Sequence, residues 1–98
     1  MSESEQSYSM PSSQCLQHCC KIGIAEDKPI MFDYYTDSLE GKALIGVRDT
    51  GEKLLVKSED EYTSPIAKIY KVETEYIIIT ENSIYIISSE VPTRRISS

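Results

Sequence analysis

Tryptophan is absent, phenylalanine and histidine each occur once, and the three cysteines of this 98-residue chain all fall between Cys15 and Cys20. An odd, clustered set of thiols does not build an internal disulfide framework, so the expectation is a protein kept in a reducing compartment and not secreted. Basic residues are scarce as well. Ten Lys and Arg stand against sixteen Asp and Glu, a formal charge of −6. This balance repels nucleic-acid phosphate and anionic lipid, and nothing before Arg94-Arg95 gathers positive charge to counter it, so nucleic acid is not expected as a partner. Long apolar runs are missing too. Tyr76-Ile77-Ile78-Ile79 falls far short of the roughly 20 residues of a bilayer span. The stretch Met1 to Gln14 holds Glu3 and Glu5 without the basic and apolar regions of a secretory signal. Gly41, Gly46 and Gly51 form no phosphate-binding pattern, because no helix start follows them, and no cofactor is expected.

What the chain does have is β-branched and aromatic residues, concentrated after Ile22. Residues 1–14 are serine-rich and polar, with too little apolar surface to offset the entropy of ordering, and read as a flexible tail. Residues 15–91 read as one domain and 92–98 as a polar C-terminal tail. Lys21 to Ile24 alternates like a short strand, Glu26-Asp27-Lys28-Pro29 is a turn, and Ile30 to Tyr35 alternates again. Ala43 to Val47 and Lys53 to Lys57 flank Asp49-Thr50-Gly51-Glu52, the signature of a hairpin. An acidic loop from Ser58 to Pro65 follows. Ile66 to Val72, Glu75 to Thr80 and Ser83 to Ser88 then form a meander through turns too short for anything but antiparallel neighbours. Helix is expected to be nearly absent, since no segment sustains a 3.6-residue period. The fold class is all-β: a small antiparallel barrel or sandwich of about six strands with extended tails, closure being favoured because it removes free edges.

One pattern departs from a half-wet sheet. Tyr76-Ile77-Ile78-Ile79 and Ile84-Tyr85-Ile86-Ile87 are apolar on both faces, so a second covering layer is required. Either the 15–35 segment of the same chain folds over the sheet, or another protein covers it. On the second alternative Tyr76, Ile78, Tyr85 and Ile87 are the partner-binding residues, with Arg94 and Arg95 of the tail meeting acidic partner groups.

Chemistry-bearing residues are few. Cys15, His18, Cys19 and Cys20 are side-chain types that bind zinc, but structural zinc takes two separated ligand pairs and no Cys or His follows Cys20. Asp27, Asp33 or a second subunit would have to complete the set, and ordinary reduced cysteines are the plainer reading. A Cys–His nucleophile lacks an orienting third group. The acidic groups Asp33/Asp37 and Glu59/Asp60/Glu61 read as solubilising charge, and Arg94-Arg95-Ile96-Ser97 fits the R-R-x-S pattern of basophilic kinases. No catalytic residue is assigned, and the chain is expected not to be an enzyme.

Between Glu26 and Ser88 the stretches Ile45-Gly46-Val47-Arg48, Glu52 to Ser58, Glu61 to Ile66 and Thr80 to Tyr85 resemble small proteins of unassigned role from nucleocytoplasmic large double-stranded DNA viruses. The resemblance implies a virion or host-cytoplasm setting and a minor capsid component cementing larger capsid subunits. It carries no catalytic motif and leaves Cys15 to Cys20 outside. The alternatives are a regulatory module that binds a peptide or host protein through a strand edge, and a small zinc-binding protein.

Overall fold

Ser12 keeps an extended backbone, and its hydroxyl accepts the Cys15 N–H at 3.1 Å, satisfying a donor that a first helical turn leaves open. Helix α1 (Ser13–Glu26) starts there. It ends where Asp27 adopts a left-handed φ of 56° and the Lys28 N–H returns to the Gly23 carbonyl at 3.2 Å. These assignments come from a computed structural model that describes residues 10–96.

The chain continues through β1 (Ile30–Met31), α2 (Tyr35–Leu39), β2 (Leu44–Val47), β3 (Lys53–Val56), β4 (Ile66–Val72), β5 (Glu75–Thr80), β6 (Ile84–Ser88) and β7 (Thr93–Arg95). Two sheets result, one ordered β1-β6-β5-β4 and the other β3-β2-β7. β4, β5 and β6 form an antiparallel meander and β2 pairs with β3 as a hairpin. β1 joins β6 and β7 joins β2 in parallel.

Strand alternation sends Ile77 and Ile79 of β5, with Ile84 and Ile86 of β6, to one face of the larger sheet. There they meet Cys15 and Cys19 of α1, with Leu16, Ile22 and Tyr35 around them. Ile78 and Ile87 point the other way, against Ala43, Ile45 and Leu55 of the smaller sheet and the ring of Tyr34. The order of layers is therefore helix, four-stranded sheet, three-stranded sheet. All six isoleucines are fully buried, and burial of such a side chain is worth about 1.5–3 kcal/mol. Glu75 fastens the helical layer: its carboxylate, itself buried, accepts the Ser12 N–H at 3.2 Å and the Thr74 hydroxyl at 3.1 Å.

The architecture is mostly β and sandwich-like, in agreement with the broad fold class, and it corrects several finer expectations. The sheets do not close into a barrel. Ser13 and Gln14, expected in a flexible tail, and Lys21 to Ile24, expected as a strand, lie in α1 together with the unassigned Cys15 to Cys20 between them. The strand expected from Ile30 to Tyr35 survives only at Ile30–Met31, because the chain turns at Phe32, whose carbonyl accepts the Tyr35 N–H at 3.0 Å, and coils into α2. The polar tail after Pro92 supplies β7, held by the Ile45 N–H to the Pro92 carbonyl and the Ile96 N–H to the Val47 carbonyl, each 2.9 Å. The hairpin and the meander stand within a residue of their expected bounds. No helix among the described residues is long and apolar enough to cross a membrane.

Because both faces of β5 are covered, Ile77→Ala and Ile78→Ala should each cost about 2–5 kcal/mol in urea unfolding. Ile24→Ser, at a position 84% exposed on α1, should change stability by less than about 0.5 kcal/mol. A cost below about 1 kcal/mol at Ile77 or Ile78 would mean that the corresponding face lacks its cover.

Candidate functional site

The zinc candidates lie on one helix, and helical spacing decides their fate. Cys15 and Cys19, one turn apart, both enter the core, while Cys20 stands about a third of a turn further round and is exposed, as is His18. The four side chains do not converge. Asp27 is occupied in ending α1 and Asp33 lies exposed in the loop beyond β1. Among the described residues no group of three His, Cys, Asp or Glu side chains is placed to hold a metal ion.

The buried thiols and phenols hold their protons more firmly than usual. Burial pushes the Cys15 thiol up to about 11, helped by the nearby negative charges of Glu75 and Glu73. Burial likewise raises Cys19 to about 12, with Cys15 and Cys20 adding to the effect. Tyr34 rises to about 12 by burial and its proximity to Tyr85, whose ring packs edge-on at 5.5 Å. Tyr35 and Tyr85 shift upward, again chiefly through burial. A nucleophile or general base needs the opposite displacement.

Of the residues expected to meet a partner, Ile78 and Ile87 are fully buried between the two sheets, and Tyr76 and Tyr85 are half-buried in the same cluster. This corrects their assignment to an outer surface: the chain's own second sheet is the covering layer, and α1 is the cover on the opposite face. Arg94 and Arg95 are exposed on β7, Arg95 reaching Asp49 at 3.4 Å. Ser97 lies outside the described residues. Asp37 pairs with Lys57 at 3.3 Å, and Ser58 folds the Glu59-Asp60-Glu61 loop by accepting the N–H groups of Asp60 and Glu61, both at 3.2 Å. The Asp37 carboxylate thus serves local structure, while in the Asp60–Glu61 loop it is the backbone amides that are held.

Two surface features remain. The outer face of the smaller sheet carries a groove of about 740 Å³ floored by Leu44, Leu54, Val56 and Ile96. Gly46 makes this floor possible, since a Cβ there would stand 2.8 Å from the Ile96 side chain. The cations on its rim already have partners: Arg48 with Glu52 at 3.1 Å, Arg95 with Asp49, and Lys57 with Asp37 and the Tyr34 ring. Among the described residues only the Arg48 Nε is buried without a hydrogen-bond acceptor.

The second feature is a strand edge. β1 is two residues long and β7 three. β3 is overlain by the returning loop: the Thr63 N–H bonds the Leu55 carbonyl at 2.9 Å and Tyr62 bridges Val56. β4, by contrast, is seven residues long and ends its sheet, paired only with β5. Its outer N–H and C=O groups have no partner among the described residues. On one flank lies a cleft of about 430 Å³ between α1 and the sheet, lined by His18, Ile22, Tyr70, Lys71, Val72 and Ile77. On the other lies a hollow of about 340 Å³ beside the β2–β3 turn, reached by Lys53 and Lys68. No sequence signal singled out this edge, because whether a strand is central or terminal depends on which segments pair with it.

Compared with protein-family models, curated proteins and solved structures, the chain matches none.

Burial separates the thiols by reactivity, and the raised pKa of Cys15 and Cys19 adds to the difference. At pH 8 a disulfide reagent such as Ellman's should modify Cys20 rapidly and leave Cys15 and Cys19 protected until the chain unfolds, when all three react. Fast titration of more than one thiol in the folded protein would contradict the packing of α1.

Proposed function

We propose that this chain is a non-enzymatic protein-interaction module that takes up an extended segment of another protein along β4. The uncovered, seven-residue edge of β4 carries this reading. An added strand would satisfy its open backbone groups, while the depressions on either side would receive alternate side chains. The raised pKa values of Cys15, Cys19 and Tyr34 agree with a role without covalent chemistry at these groups. A minor capsid or scaffolding component, cementing larger subunits in the virion, is the form of this function implied by the viral resemblance of residues 26–88. The apolar strands first thought to support that role are occupied within the chain, so the edge takes their place in the argument.

Selection from an unbiased library of linear peptides tests the proposal. Enriched peptides should slow hydrogen exchange at alternate amides of β4, which in the free chain exchange with solvent. Failure to enrich any peptide, or protection confined to other elements, would sink it.

A further inference from the structure

Among the described residues five of the ten basic side chains form ion pairs: Lys28, Lys42, Arg48, Lys57 and Arg95. Of the remaining five, Lys53, Lys68 and Lys71 gather at β4 or in the hollow beside it, in a protein whose net charge is −6. All three are exposed. Two nearby carboxylates are already engaged, Glu52 by Arg48, and Glu75 by Ser12 and Thr74. Glu73, exposed in the β4–β5 turn, is the remaining one near that end of the strand.

By register Lys68, Tyr70 and Val72 stand on the helix side of β4 with Ile77 and Ile79, and Ile69 and Lys71 stand on the other. Lys71 also borders the cleft beside His18 and Ile22, and Lys53 and Lys68 border the hollow by the β2–β3 turn. A strand laid along β4 sends successive side chains to opposite flanks and so meets lysine on both. Resting on the strand-addition reading above, we infer that the segment β4 accepts is an acidic one, its carboxylates facing Lys53, Lys68 and Lys71.

A second copy of this chain fits the edge less well. Pairing β4 with β4 crowds Lys68 and Lys71 of two equally acidic molecules together, and the irregularity between Ile66 and Lys68 interrupts the ladder. Lysine on an edge strand discourages such self-pairing and leaves the edge open to a segment of opposite charge.

The test uses the full chain and three acetylated peptides of about eight residues, the reach of β4. The first alternates glutamate with valine; the others replace glutamate by glutamine or by lysine. Fluorescence anisotropy at low salt should show the acidic peptide binding at least about tenfold tighter than the lysine peptide, with the margin shrinking toward about 0.5 M salt. The same peptide should slow exchange of β4 amides. The triple variant K53E/K68E/K71E should reverse the preference, and the milder K68Q/K71Q should reduce it. Equal binding of all three peptides with β4 protected would overturn the acidic assignment and leave strand addition standing. No β4 protection by any peptide would overturn both. Protection of β4 that grows with protein concentration in the absence of peptide would make a second copy the occupant. Exposure of β4 amides on Glu3→Lys/Glu5→Lys substitution would assign the edge to the chain's own acidic N-terminal stretch. Either of these last two outcomes overturns the proposal.

Discussion

The central antiparallel strands β5 and β6 carry isoleucine on both faces, and a sheet of that kind is stable in water only when sheltered from both sides. The rest of the molecule follows from this demand. Ile77, Ile79, Ile84 and Ile86 require one layer, which α1 supplies through Cys15, Cys19 and Ile22. Ile78 and Ile87 require another, which the β2–β3 hairpin supplies through Ile45 and Leu55. A closed barrel would have sheltered one face only, so two sheets with a helix outside them meet the demand better than the closure expected from strand count. The Ser12–Glu75 hydrogen bond then fixes where the helix enters this arrangement.

The cysteines show how packing can absorb groups that look chemical in a sequence. A thiol removed from water and set near carboxylates holds its proton more firmly, and it behaves as a small hydrophobe. Cys15 and Cys19 therefore belong to the same physical account as the isoleucines they touch. With Cys15 and Cys19 given to structure, the described surface retains backbone edges, lysines outside its ion pairs and shallow recesses, the materials of recognition.

Two sheets have more edges than a barrel, and the chain treats them unequally. The edges at β1 and β7 are brief, and the edge at β3 is overlain by the Tyr62–Thr63 segment. At β4 the strand is long and the only deterrents are Lys68, Lys71 and a local irregularity. These devices discourage pairing with like-charged strands without blocking pairing altogether.

The hairpin around Gly51, the meander from Ile66 to Ser88 and the need for cover on both sides of it were legible in the residues, because period-two patterning and turn chemistry are local properties. Helix α1 was less legible: its buried stripe runs through two cysteines, and Ile24, apolar yet exposed, blurs the period. Nor did β-branched residues at Ile30 announce that the chain would coil at Tyr35, where both tyrosines are drawn into separate clusters. By itself the sequence determined the β2–β3 hairpin, the β4–β6 meander and that β5 and β6 need cover on both faces. Only tertiary structure decided what shelters them, and hence that β4 is left at an edge with Lys68 and Lys71 outside the ion pairs of the described residues. Pairing order and layer stacking arise from contacts between residues far apart in the chain, which no local pattern records.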